Sequence, residues 1–355
     1  MRIAIVQGTR PEIIKNYSVV KALQDAAVPF EVLHTNQHSS VRMSSEVYSE
    51  LGYAPSQTLP VPYRLGAAID WLQQRFLDDD VGHVIVNGDT AASIAGALAA
   101  MYLDIAVTHV EAGLRSGDPY MPEERNRIMV DAIASLLFAY TDVERQELLR
   151  TSAIRGQVLL EGNTTVDLLH DFADRIPEPA RDQRYVFVTL HRKELTESKE
   201  RMLRVFQALR RIAAQHCSVV FPMHPRTSDA IKRHGIALRT LGNVHVLEPV
   251  STFHSLGLQK HAAAVLTDSG CIQEEAYLLN VPCITIRDNT ERHLTVAHGA
   301  NVVVGFEPAR IMEAAERALT LPRRVWPNVY GSAGAGKRIV SRIIAELSER
   351  RSAVG

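Results

Sequence analysis

The sequence predicts an α/β protein of two doubly wound, Rossmann-like domains in tandem, with a central cleft between them. Three observations lead to this. At 355 residues the chain is long enough to bury two cores of ordinary size. Short β-rich runs alternate with amphipathic stretches, the rhythm of βα units that feed a parallel sheet. One polar, proline-bearing stretch, IPEPARDQR at residues 176–184, interrupts the rhythm and reads as a linker.

In the first half the pairs are RIAIVQ with PEIIKNYSVVKALQDA, FEVLHT with VRMSSEVYSEL, HVIVNG with TAASIAGALAAMY, and IAVTHVEAG with PEERNRIMVDAIASLL. After the linker the strands YVFVTL, SVVFPM, NVHVLE, AAAVLTD and VPCITIR each run into a helix-like segment. Residues 1–175 and 176–336 are therefore expected to form separate domains. Ligands of doubly wound domains bind at the carboxyl ends of the strands.

Composition narrows the function. The chain is 46% hydrophobic and 22% charged, with 39 basic against 40 acidic residues, and no long run of one sign marks a nucleic-acid or anionic-membrane surface. The longest apolar stretch, ASIAGALAAMYL, is too short to span a bilayer, and MRIAIVQGTR lacks the apolar region of a signal peptide. A cytoplasmic protein is expected. Cys217, Cys271 and Cys283 are odd in number and form no C-x-x-C, which predicts small core residues and no zinc site. The acidic run Asp78 to Asp80 resembles D-x-D but follows the helix-like LGAAIDWLQQRFL and reads as a solvated loop.

One motif points to phosphate. GSAGAGKR, from Gly331 to Arg338, fits G-x-x-x-x-G-K but places Arg338 where a magnesium-binding Ser or Thr belongs. Its lead-in is PNVY and 18 residues follow Lys337, so it reads as a Gly/Ala turn before one last helix.

The strand ends carry more. GTRPEIIK supplies a tight turn at Gly8, a cation at Arg10, a helix-starting Pro11 and Lys15 one turn along, a pattern suited to an anion. Asp89 follows HVIVNG, and Glu111, Arg115 and Asp118 follow IAVTH, with Glu123, Glu124 and Arg127 next. Asp118 and Glu124 read as caps. Asp89 and Glu111 directly follow apolar strands, where a buried charge needs a purpose, and paired carboxylates can act as base and acid on opposite faces of a carbon. In the second half, His191 and Arg192 follow YVFVTL and His224 follows SVVFPM, with His191 the stronger candidate for chemistry. Ser269 and Gly270 open a helix whose amides can hold a phosphate, and Glu275 on that helix can reach ribose hydroxyls. RDNTER then brings Arg287 and Arg292.

Together GTRPEIIK, NGDT, HVEAGLRSGD, PEERNRI, EGNTTVD, TLHRKE, MHPRT, TDSGCIQEEA and RDNTERHLTVAHGAN resemble the non-hydrolysing UDP-N-acetylglucosamine 2-epimerases, in order and through almost the whole chain. The resemblance implies a fold similar to the B-type glycosyltransferases, with the last helix, residues 337–355, returning to the N-terminal domain. It implies interconversion of UDP-GlcNAc and UDP-ManNAc by anti elimination of UDP to 2-acetamidoglucal and re-addition, with no metal or nicotinamide cofactor, in a homodimer. Carried over by motif, Asp89, Glu111 and Glu123 become the acid/base candidates. Arg10, His191, Ser269 and Gly270 would hold the diphosphate and Glu275 the ribose, with Lys15, Arg127 and Arg292 completing a cationic frame.

Three departures stand out. Cys271 replaces a glycine after Ser269-Gly270, His293 replaces a proline after Thr290-Glu291-Arg292, and Ser255 stands where many relatives place an aromatic near the uracil. Gln37, His38, Arg192 and His224 match parts of the site at which some members bind a second UDP-GlcNAc as activator, although NQHSS differs from the usual GQHRE. The rival readings are a glycosyltransferase of the same fold, which leaves the carboxylate trio unexplained, a hydrolysing epimerase, a silent sugar-nucleotide sensor, and an epimerase of a modified UDP-HexNAc.

Overall fold

The computed structural model describes residues 2–37, 41–178, 183–320 and 322–354. The chain divides into two compact units, Met1–Phe172 with Val329–Gly355, and Ala173–Asn328. Among the described residues no helix is long and apolar enough to cross a membrane.

The first unit is built on β1 (Arg2–Gln7), β2 (Phe30–His34), β3 (Gln57–Thr58), β4 (Val81–Asn87), β5 (Ala106–Val110), β6 (Leu136–Ala139) and β7 (Gln157–Leu160). They lie in the order β3-β2-β1-β4-β5-β6-β7, every pair parallel, with Ile5 opposite both Val32 and Ile85. Helices cover both faces of such a sheet, so its central strands need apolar residues on both sides. Val84 and Val86 pack with Ile94 and Leu137 in one of its cores. The second unit holds β8 (Tyr185–Thr189), β9 (Ser218–Pro222), β10 (His245–Leu247), β11 (Ala264–Thr267), β12 (Cys283–Thr285) and β13 (Asn301–Val303) in the order β10-β9-β8-β11-β12-β13. In each unit the strand order reverses next to the first strand, between β1 and β4 and between β8 and β11, which opens a crevice at the strand ends.

The expected helix PEERNRIMVDAIASLL is shorter than its pattern. It ends at Ile133, and Leu136–Ala139 becomes β6, pairing with β5 on one side and β7 on the other. A short apolar run has no periodicity that separates a buried strand from a helix end. β3, β7 and β13 are additional strands of two to four residues, below the length at which alternation shows.

The last helix, Ala335–Val354, packs against the first, Arg10–Asp25. A Cβ on Gly336 would lie 2.4 Å from the Ser18 backbone, so the glycine lets the two helices touch. The amides of Gly334, Ala335 and Gly336 donate to the Asp167 carboxylate at 2.6, 3.1 and 2.8 Å. The turn that resembles a phosphate loop is thus closed by the chain's own carboxylate. Of the acidic run, Asp78 pairs with Arg75 and Asp79 lies 3.6 Å from Arg2. Cys217, Cys271 and Cys283 are free thiols, and burial pushes the Cys283 thiol up to about 12.

Candidate active site

In the first unit the residues after β1, β4 and β5 meet at the sheet's carboxyl end. Thr9 and Glu12 form a capping box at the start of the helix Arg10–Asp25. The Glu12 carboxylate is buried and accepts from the amides of Gly8 and Thr9 (2.9 and 2.8 Å) and from the Thr9, Thr90 and Ser93 hydroxyls. Burial raises its pKa while those donors oppose the rise. The amides at this helix start are therefore satisfied from within, and what GTRPEIIK contributes are the side chains of Arg10 and Lys15. Gln37 accepts from the amide of Ala92 at 3.0 Å and so caps the helix Ala91–Met101, which Thr90 also caps. His38 lies outside the described residues.

The carboxylates are held by cations. Lys15 reaches Glu111, and the Tyr140 hydroxyl donates to the same carboxylate at 3.4 Å. Arg127, almost wholly buried, bridges Asp89 and Glu124. Asp89 keeps 20% of its side chain exposed, and the Asn126 amide donates to its carbonyl at 2.9 Å. Glu111 has φ +69°, a left-handed conformation that costs a non-glycine residue about 1–2 kcal/mol and persists where its surroundings over-determine it. Glu123 is the second residue of the helix Pro122–Ile133 and half-buried. Its neighbour Glu124 does structural work, accepting from the amides of Ser116 and Gly117 at 2.8 and 3.2 Å. Asp118 closes a turn by accepting from the Tyr120 amide at 2.9 Å.

In the second unit, Asp268 at the end of β11 accepts from the backbone amides of both His191 and Arg192, each at 2.8 Å. Burial raises its pKa to about 6 against those donors. His191 lies beside His224 with ring centroids 4.9 Å apart, and Arg226 donates to its carbonyl at 3.1 Å. Ser269 is the N-cap of the helix Gly270–Leu278 and makes no side-chain capping bond. A Cβ on Gly270 would fall 2.4 Å from the Glu291 carboxylate, so any side chain there would have to displace that carboxylate or the helix start. Around that position run buried ion pairs: Arg287 with Glu291 at 2.9 Å, Arg292 with Glu274 at 2.6 Å, and Arg192 and Arg292 within 3.9 Å of Glu291. Gln273 accepts from Thr290 and Asn301, locking the 286–292 loop to this helix. Glu275 accepts from Gln259 at 2.6 Å, and Gln259 also donates to Ser255. Cys271 is half-buried and follows Gly270 on the helix.

The sequence profile of the family described as UDP-N-acetylglucosamine 2-epimerase matches residues 21–344. The chain belongs to that family. It is 37% identical to the UDP-N-acetylglucosamine 2-epimerase of Methanocaldococcus jannaschii over 96% of this chain and 98% of the relative. A crystal structure from that organism, in complex with UDP-GlcNAc and UDP, has a TM-score of 0.89 at 36% identity and covers 98% of this chain and 100% of that one. The UDP-2,3-diacetamido-2,3-dideoxy-D-glucuronate 2-epimerase of Pseudomonas aeruginosa is 34% identical over 96% of this chain and 98% of its own. A spinosyn forosaminyltransferase, at 15% identity and a TM-score of 0.55 over 98% of both chains, shares the fold alone.

In this member of the epimerase family, two groups of site residues escape a reading by strand ends. Glu12 and Asp268 both stand inside motifs quoted above, and the T-x-x-E spacing of a capping box is the signal that identifies Glu12. His109 also opens the quoted HVEAGLRSGD, but neither it nor Asp131 gives a spacing signal, because a histidine within a strand and an aspartate late in a helix become meaningful only once they touch.

Proposed function

We propose that this protein interconverts UDP-GlcNAc and UDP-ManNAc by elimination and re-addition of UDP. The observation that carries this reading is the pair Asp89 and Glu111, each held by its own buried cation at the ends of neighbouring strands, in a chain whose relatives over its full length include UDP-GlcNAc 2-epimerases. The C2 hydrogen of the sugar has no adjacent carbonyl to acidify it, so a placed base must remove it as the C1–O bond breaks and UDP departs with the electron pair. A C1=C2 double bond forms, and a proton delivered to the opposite face of C2 with return of UDP to C1 gives the epimer. Asp89, Glu111 and Glu123 are assigned as the acid/base set, supported by Lys15 and Arg127. Ser269, Gly270, Cys271, Glu275, Arg292, His191 and Arg10 are assigned to UDP. His191 also assists departure of the leaving group. Two copies are proposed to act as a homodimer in the cytoplasm, an assembly that sedimentation velocity measures.

Incubation with UDP-GlcNAc in D₂O tests the reaction. UDP-ManNAc deuterated at C2, followed by labelling of the recovered UDP-GlcNAc, is expected. UDP-ManNAc with its C2 hydrogen retained would refute elimination. Free ManNAc and UDP would make the enzyme a hydrolase, and turnover of only a diacetamido sugar would replace the substrate.

A further inference from the structure

Next to Asp89 and Glu111 lies a polar cluster that the proposed reaction does not use. His109 and Asp131 are completely buried. His109 Nδ1 is 2.7 Å from the Asp131 carboxylate and Nε2 is 2.9 Å from the carbonyl of Gly88. Arg115 pairs with Asp131 at 2.7 Å, and the Gly113 amide donates to it at 3.3 Å. A carboxylate already accepting from a guanidinium and an amide acts as an acceptor toward the imidazole as well, and a carbonyl can only accept. Each ring nitrogen of His109 therefore faces an oxygen acceptor.

Asp131 thereby holds two points of backbone. It binds Gly113, two residues after Glu111, and through His109 it binds Gly88, one residue before Asp89. The Glu111 turn needs such restraint, since Glu111 (φ +69°) is left-handed without being glycine. The Gly88 amide donates to Val110 on β5 at 2.9 Å, so Gly88 is tied to β5 through both its amide and its carbonyl. Asp131 also stands four residues after Arg127, on the same face of its helix. One helix face thus grips the Asp89 side chain through Arg127 and the backbone beside it through His109.

We propose that His109 and Asp131, braced by Arg115, are positioning residues of the reaction, setting the placement of the Asp89 turn relative to Glu111. The proposal rests on the assignment of those two carboxylates to catalysis. Two substitutions at one position separate positioning from mere structural pairing. In His109→Asn the amide nitrogen falls near Nδ1 and keeps Asp131 paired but releases Gly88. In His109→Gln it falls near Nε2 and keeps Gly88 but releases Asp131. The expected result is that His109→Asn lowers kcat about 100-fold, the scale of a small misplacement of reacting groups, with KM and the affinity for UDP nearly unchanged. His109→Gln should recover most of that loss. Arg115→Gln, at a partly exposed site, should lower kcat severalfold with the same signature.

Equal kcat in the two His109 variants, or a better Asn variant, would overturn the proposal. Should neither His109 variant fold, an unchanged kcat in Arg115→Gln would overturn it. Asp89→Asn is the control for the underlying reading: if it stays active, the carboxylate assignment has failed, whereas an inactive Asp89→Asn beside an undisturbed His109→Asn would isolate the failure to this inference.

Discussion

The two units share one topology, and three helix starts of the first contrast with one of the second. In the first, the helix starts after β1 and β4 and the start of the last helix are closed by the chain itself: Glu12 takes the amides of Gly8 and Thr9, Thr90 and Gln37 cap the helix Ala91–Met101, and Asp167 fills the glycine turn before the last helix. In the second, Ser269 leaves the helix Gly270–Leu278 without a side-chain cap, and buried arginines stand near it. A helix start carries partial positive charge that favours an anion. Where an internal carboxylate answers that charge the turn is structural, and where none caps it the turn suits a ligand phosphate. On the function proposed above, the first unit offers carboxylates for chemistry on the sugar, and the second an anion site for UDP.

The most severe way to break this comparison is to neutralise the first unit's carboxylates. Asp89→Asn and Glu111→Gln are expected to lower kcat by on the order of 10² to 10⁴, the usual worth of a positioned acid or base. UDP affinity measured by calorimetry should stay within a few-fold of the parent. Lost UDP binding with retained turnover would mean that the roles of the two units are exchanged.

The second unit should respond in the other sense. Removing a charge-assisted hydrogen bond costs about 1.5–3 kcal/mol, so His191→Ala should weaken UDP binding roughly 10- to 100-fold as well as slow turnover. Gly270→Ala should do the same by another route, because its methyl group would collide with Glu291 and shift the helix start or the carboxylate. If either variant binds UDP as the parent does, the uncapped helix is not the phosphate site.

Asp268 sharpens the comparison through pH. Its pKa rises from 3.8 to about 6 in the folded protein because the carboxyl is buried, so between those values the folded state binds more protons than the unfolded one. Stability must then fall as pH rises from about 4 to 6 and level off above. The effect is bounded at about 3 kcal/mol by a shift of two units. Other buried carboxyls such as Glu31, raised to about 7, add their own slopes, so the test is the difference between parent and Asp268→Asn. Thermal midpoints across pH 4 to 7 should show a shallower decline in the variant. Parallel curves would mean that Asp268 does not titrate in this range.

Much of this was legible in the sequence, and the exceptions have physical causes. Alternating βα units and the strand-end motifs expose the architecture and the positions of Asp89, Glu111, His191 and Ser269, because apolar runs and the residues that end them are local in sequence. β6 is hidden, since LLFA has the composition of a helix end and becomes a strand only through pairing with β5 and β7. The internal partners are hidden for a related reason. Asp167 meets the glycine turn across 169 positions at its farthest, and Asp131 meets His109 across 22. Sequence shows which groups carry charge, whereas folding decides which of them answer one another.

The smallest effect concerns the turn that most resembles a phosphate loop. Lys337 is exposed, and the amides before it are bound to Asp167, so Lys337→Ala should change turnover little and stability by no more than about 0.5 kcal/mol, as for ordinary surface substitutions. Asp167→Ala provides the contrast: it strips a helix start of its internal acceptor and should cost roughly 0.5–2 kcal/mol, read by chemical denaturation, while leaving kcat near that of the parent. The lost carboxylate would also leave three amides without that acceptor. If inorganic phosphate then stabilises Asp167→Ala and not the parent, an internal acid is what separates a structural turn from a binding one. A magnesium-dependent ATPase activity in the parent that Lys337→Ala abolishes would instead make the loop functional and break the distinction between the two units.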